Sequence, residues 1–309
     1  MEDTQADMTI LLKLVDVVKI YESRQVKTPA LRGINLEIRP GETVLITGPS
    51  GSGKSTLLNL FGMLDTPSAG KLLIKGEDTS IWTQNDIEGY KRDSIGFVFQ
   101  NSNLFPNLTV WQNLWMELHA QKITDGEKEK RISEYLNVVS LGEKSGNYPD
   151  ELSGGERQRI AVLSALIKSP SIVIADEPTA ELDMKNKEKT IELLFELQEV
   201  NPRITIIIAS HDDLFKERVH RVINIVDGLI TKDAINQPGL MGNHEAVHAE
   251  IEELSKILSC PRCGNRGVKK FQNDQNLKVV DTKVIGQATI YCDQCGFSES
   301  KEFILHVLK

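Results

Sequence analysis

No apolar run in this chain approaches the roughly eighteen residues that cross a bilayer. The longest, Ile204 to Ala209, has the length of a buried strand. A membrane role therefore requires a partner subunit. The first residues (Glu2, Asp3, Asp7) are acidic and lack a signal-peptide pattern, so the expected location is the cytoplasm. An excess of basic charge is also missing: the net charge is −8, which makes nucleic acid an improbable partner. Cysteine is absent from residues 1–259, so no disulfide braces that part. Internal repeats and low-complexity tracts are lacking too. What remains is ordinary globular composition, 40% apolar over 309 residues, enough for one large domain and a small appendage.

Periodicity supplies the elements. Leu11 to Tyr21 and Leu31 to Arg39 alternate as strands, the second ending at the Pro40-Gly41 turn. Thr43 to Thr47 is a short apolar strand running into a glycine loop. A helix is expected from Ser55 to Leu64. After a mixed stretch, Ile95 to Phe99 reads as a strand. Thr109–Gln121, Gly126–Val139 and Glu156–Lys168 read as helices. Ile172–Ala175 and Ile204–Ser210 are continuous apolar runs, expected of strands covered on both faces. The helix Lys185–Val200 lies between them. Ile223–Val226 and Leu229–Thr231 flank Asp227-Gly228, a hairpin signal. The alternation predicts an α/β domain with a mostly parallel core sheet.

Residues 48–55 read GPSGSGKS. Glycines let backbone N–H groups turn inward around phosphate oxygens, and the helix that follows points its positive end at the same anion. Gly48, Pro49, Ser50, Gly51, Ser52, Gly53 and Thr56 are candidate phosphate contacts. Lys54 is placed for the β- and γ-phosphates and Ser55 for Mg²⁺. Asp176 and Glu177 end a buried strand within SIVIADEP. Asp176 suits the Mg²⁺ shell. Glu177, one residue on, can polarise an attacking water. Leu152 to Glu156 reads LSGGE: Ser153, Gly154 and Gly155 open a second helix N-terminus, which alone would be an ordinary cap.

Occurring together, these motifs resemble the P-loop nucleotide-binding domain of ATP-binding cassette (ABC) proteins over about residues 9–235. That resemblance implies an N-terminal antiparallel β subdomain, a helical subdomain, and ATP and Mg²⁺ as ligands. It assigns Tyr21 to adenine stacking and Gln100 to a loop sensing Mg²⁺, water and the membrane partner. Leu152 to Glu156, with Ser153, Gly154 and Gly155 at its centre, become the signature, Asp183 the D-loop aspartate, and His211 the switch histidine. It implies hydrolysis in a head-to-tail homodimer, with the signature of one subunit over the γ-phosphate held by the other. Departures are Glu156 where Gln is commoner, AELD in the D-loop, and AVLSALI after the signature.

RDSIGFVFQNSNLFPNLTVWQNL and GMLDTPSAG resemble the lipoprotein-release and macrolide-export group (the LolD/MacB type). That likeness implies a separate integral membrane permease and a peripheral position on the inner face of the cell membrane. Trp111 and Trp115 stand one helical turn apart; they face either a permease or the core.

All four cysteines form two C-x-x-C pairs, Cys260/Cys263 and Cys292/Cys295. Such pairs read as ligands of one structural Zn²⁺ before free thiols or disulfides. The expected organisation is a cassette at 1–235, a linker and helix at 236–258, and a zinc ribbon at 259–309. Strands are expected at Val268–Phe271, Lys278–Val280, Ala288–Tyr291 and Phe303–Val307. The ribbon's partner is not readable. A soluble ABC ATPase whose ribbon engages nucleic acid or a cytosolic complex is the alternative function.

Overall fold

The computed structural model describes residues 10–23, 26–200, 203–236, 271–273, 278–280, 283–291 and 298–306. The chain divides into two compact units, Met1–Pro238 and Gly239–Lys309.

The first unit holds two sheets. β1 (Leu12–Ser23), β2 (Val26–Ile38), β4 (Ala69–Ile74) and β5 (Glu77–Asp78) form an antiparallel sheet in the order β2-β1-β4-β5. Pro29 lies within β2, which is tolerated because β2 is an edge strand of this sheet. β3 (Thr43–Thr47), β6 (Ile95–Val98), β7 (Ile172–Asp176), β8 (Thr205–Ala209), β9 (Arg221–Val226) and β10 (Leu229–Ile235) form the other, ordered β10-β9-β3-β8-β7-β6. Its pairs are parallel except the β9–β10 hairpin. In the hairpin turn both Asp227 and Gly228 have positive φ, the geometry that matches strand twist.

The apolar runs of β3, β7 and β8 have a direct structural cause. Successive side chains point to opposite faces, and both faces are covered. Leu45, Val173, Ala175, Ile206 and Ile208 enter one core, shared with the helices α3 (Val110–Leu118), α4 (Asp125–Val138) and α5 (Gly154–Leu166). Val44, Ile46, Ile172, Ile174, Ile207 and Ala209 enter the other, under the antiparallel sheet and α1 (Lys54–Phe61).

Register then places the site. Asp176 pairs with Ala209, and Ala209 with Ile46. The loops after β3, β7 and β8 consequently leave the sheet side by side at its C-terminal edge, where open parallel sheets bind ligands.

The sequence left residues 70–94 undivided. The structure places β4, β5 and an eleven-residue helix, α2 (Gln84–Ser94), there. Thr83 and Asp86 cap α2 reciprocally. That T-x-x-D signal is visible in sequence, but only Tyr90 of the helix is buried, so no apolar periodicity announced it. The last helix of the unit is α6 (Met184–Val200).

In the second unit, β13 (Lys283–Tyr291) pairs along one edge with β11 (Phe271–Asn273) and β12 (Lys278–Val280), and with β14 (Ser298–His306) along the other. All pairs are antiparallel. β13 and β14 each begin five residues before the expected strands. Cys260, Cys263, Cys292 and Cys295 lie outside the described residues.

Candidate active site

The loop after β3 is shaped by two close approaches. Gly48 and Gly53 have positive φ. A Cβ on Gly48 would collide with the Ile225 carbonyl of β9, and one on Gly53 would lie 2.5 Å from the Ala30 carbonyl oxygen of β2. The loop is also tied to the hairpin turn, since Gly228 N–H donates to the Ser52 carbonyl at 3.0 Å. Gly53 caps α1 in a left-handed conformation without a side-chain hydrogen bond, and no acidic residue occupies the first turn. The first amides of α1 are therefore left to an external anion. Lys54 folds over the loop, its Nζ donating to the carbonyls of Gly48 (2.8 Å) and Pro49 (3.1 Å).

Asp176 closes β7 facing this loop. Its Oδ1 is buried and without a hydrogen-bond partner. Burial pushes its carboxyl above the usual carboxylate range; Ser55, hydrogen-bonded to it, pulls the other way, Glu177 adds to the rise, and Lys54 opposes it. An unpartnered buried carboxylate oxygen beside a hydroxyl suits a hard cation with oxygen ligands.

Glu177 has φ 47°, outside the range usual for a side chain of its size. Its N–H donates to the Ala209 carbonyl at 2.8 Å. Its Oε2 accepts from Ser210 Oγ (3.3 Å) and lies 3.0 Å from His211 Nδ1. The His211 side chain is 70% exposed, that of Glu177 only 19%. Gln100 follows β6, its Nε2 3.5 Å from Glu181 Oε1.

Tyr21, Gly48, Pro49, Ser50, Gly51, Gly53, Lys54, Ser55, Thr56, Gln100, Asp176, Glu177 and His211 all line one open cleft of ≈ 710 Å³. Ser52 does not line it; its side chain is buried. The Tyr21 hydroxyl donates to Asp65 Oδ2 at 3.0 Å, and Lys19 bonds Asp65 while standing 5.1 Å from the centre of the Tyr21 ring. Gly228 was read only as a hairpin residue, not as a support of the loop, and Asp65, Lys19 and Ala30 were missed in the sequence. Each acts through a partner distant in the chain, with no local signal.

Ser153, Gly154 and Gly155 are not in this cleft. Ser153 caps α5: its Oγ accepts from Glu156 N–H at 3.3 Å, and Glu156 Oε2 accepts from Ser153 N–H and Oγ, both at 2.8 Å. Hydrogen bonds from the Ser153 backbone and then its hydroxyl hold the Glu156 carboxyl below its ordinary range. Gly155 is pressed against the Asn186 side chain. Trp111 and Trp115 are half-buried against the helical core, and Lys128 Nζ stands 5.2 Å from the Trp115 ring centre.

A glycine loop, a buried carboxylate, a second carboxylate and a histidine at one edge of the sheet define a P-loop nucleoside triphosphatase. Residues 31–180 match the "ABC transporter" family model. The chain is 40% identical to an uncharacterised ABC transporter ATP-binding protein of Thermotoga maritima, over 72% of its own length and 94% of that protein. It is 39% identical to the lipoprotein-releasing system ATP-binding protein LolD of Bacteroides thetaiotaomicron, covering 72% of this chain and all of that one. Against the macrolide export ATP-binding/permease protein MacB of Marinobacter nauticus it is 38% identical but spans 34% of that protein. Its structure resembles the dimeric post-hydrolysis state of the cassette MJ0796 bound to ADP and Pi, with TM-score 0.68, 37% identity, and 74% and 99% of the two chains covered. The chain belongs to the ABC transporter family. The enzyme is an ABC-type ATPase. Among the described residues no helix is long and apolar enough to cross a membrane, and no cluster of metal-ligating side chains occurs.

Proposed function

We propose that the chain is the ATPase subunit of a LolD/MacB-type transporter, working as a head-to-tail homodimer on a separate membrane permease from the inner membrane face. The observation that carries this is the division of the candidate residues. Lys54, Ser55, Gln100, Asp176, Glu177 and His211 share one cleft, whereas Ser153–Gly155 stand apart on α5. A site missing its signature is completed by a second copy. The MJ0796 cassette is described as dimeric with ADP and Pi, and MacB joins ATP-binding and permease parts in one protein.

The residues fit ATP with Mg²⁺. Loop amides and the first amides of α1 would bind the phosphates, with Lys54 exchanging its carbonyl partners for phosphate oxygens. Ser55 and Asp176 would hold the metal, and Gln100 would reach its outer shell. When bound, Mg²⁺ neutralises charge that builds on the phosphate oxygens. Glu177 orients the attacking water, its carboxylate fixed by Ser210 and His211. The His211 imidazole, exposed at the cleft mouth, meets the γ-phosphate. Tyr21 offers its ring to the adenine. Trp111 and Trp115, half-buried against the helical core, suit a permease segment on their exposed parts.

Cys260, Cys263, Cys292 and Cys295 suit a closed Cys₄ zinc site stabilising residues 259–309, because a segment of roughly fifty residues has little core of its own and metal binding supplies folding energy.

Glu177→Gln tests the core of this reading. The variant should lose steady-state hydrolysis by more than a hundredfold, retain ATP binding, and elute as an ATP-dependent dimer in gel filtration. Normal turnover would overturn the assignment.

A further inference from the structure

Asp212, next to His211, ties together parts of the chain that the proposed chemistry does not connect. Its Oδ2 accepts from Lys187 Nζ at 2.8 Å and from Thr179 Oγ1 at 3.4 Å. Its Oδ1 accepts from Leu214 N–H at 3.2 Å, and its own N–H donates to Ser210 Oγ at 3.1 Å. The two charged side chains are mostly buried, Lys187 23% and Asp212 12% exposed. Burial raises the Asp212 carboxyl, but the Lys187 bond and the Leu214 amide outweigh it and hold it low. His211 itself is exposed, so the aim of its ring rests on its anchored neighbours.

The next link is on α6. Lys187 is preceded by Asn186, whose Oδ1 accepts from Arg159 Nη1 of α5 at 3.3 Å and whose Nδ2 donates to Asp183 Oδ2 at 2.6 Å. Asn186 is also the residue against which Gly155 packs. Adjacent residues in the first turn of α6 therefore grip the signature helix on one side and the histidine loop on the other.

We propose that Asp212 is a positioning residue for His211, and that its ion pair with Lys187 carries the placement of the signature helix to that histidine within one subunit. The inference rests on the assignment of His211 to the γ-phosphate. When the signature seats on the partner's nucleotide, α6 is held through Asn186, and Lys187 then holds Asp212 and His211 in register. Neither Lys187 nor Asp212 touches the nucleotide.

The test is steady-state ATPase kinetics on the full chain. Lys187→Met should lower kcat about tenfold, equivalent to about 1.4 kcal/mol, with the KM for ATP within twofold of wild type. Lys187→Arg should recover most of the rate. Asp212→Asn should match Lys187→Met, and the double variant should be no worse than either, because the two act as one unit. In a His211→Ala background, Lys187→Met should cause no further loss, since the pair acts through that ring. A purely structural role would still lower the rate there, and such a loss overturns the proposal, as does unchanged kcat in Lys187→Met. Should Lys187→Met fail to fold in a thermal melt, Lys187→Gln carries the same comparisons. A His211→Ala enzyme with wild-type kcat would overturn the assignment of the histidine itself; a crippled His211→Ala beside a fully active Lys187→Met overturns only the coupling.

Discussion

His211 Nδ1 lies 3.0 Å from Glu177 Oε2, although the two residues leave different strands. Register explains it: Asp176 sits opposite Ala209, so Glu177, one residue past the end of β7, and His211, two residues past the end of β8, emerge on the same edge of the sheet. Ser210 Oγ donates to the same carboxylate oxygen at 3.3 Å, so both contacts restrain the Glu177 side chain. His211→Ala should therefore lower kcat at least tenfold while ATP affinity changes less than threefold, because the lost contact is to charge that develops in the transition state. Steady-state kinetics with a fluorescent-nucleotide binding assay separates the two. Unchanged kcat with a much raised KM would contradict the role.

Two glycines of the phosphate loop should respond differently to alanine. Gly53→Ala brings a Cβ to 2.5 Å from the Ala30 carbonyl oxygen at φ 107°, which should cost about 3 kcal/mol and abolish nucleotide binding. Gly51→Ala meets open space at φ 77° and should cost only about 1 kcal/mol of backbone strain. Thermal melts with and without Mg·ATP report both. Equal effects would show that the close approach to β2 is not what shapes the loop.

Asp176 makes a linkage prediction. Its carboxyl is raised, chiefly by burial, so the folded state prefers the proton more than the unfolded chain does. That contribution is fully present below the ordinary aspartate value of about 3.9 and is lost as pH rises through the higher folded value. At pH 7 the nucleotide-free Asp176→Asn variant should accordingly melt no lower than wild type, and a few degrees higher if the amide relieves the buried oxygen. Mg·ATP should stabilise wild type but not the variant. A nucleotide-free variant less stable than wild type would contradict the burial argument.

The cysteine pairs predict one Zn²⁺ per chain by metal analysis of the purified protein. Chelation should melt the second unit alone, and a chain ending at Pro238 should still bind ATP. Absence of stoichiometric zinc would reject the site, and loss of nucleotide binding on truncation would place residues after Pro238 within the cassette.

Elements buried on both faces were readable because burial writes itself as an apolar run: β7 and β8 stand within two residues of their expected ends. The phosphate loop was readable because its glycines and lysine are contiguous. α2 was not, since only one of its side chains is buried and its cap is its only signal. The supports of the site escaped for another reason. Asp65 beneath Tyr21, Ala30 against Gly53, and Lys187 on Asp212 are pairings across tens of residues, which only the packing of the elements creates.

The left-handed backbone at Glu177 has an evolutionary corollary. A residue with φ near 47° is most comfortable as glycine or asparagine. Random drift under selection for folding alone would move this position away from glutamate, and a glycine there should raise the melting temperature while silencing the enzyme. The position thus sets thermal robustness against turnover, and a library screened only for thermostability would select against the residue proposed to activate water.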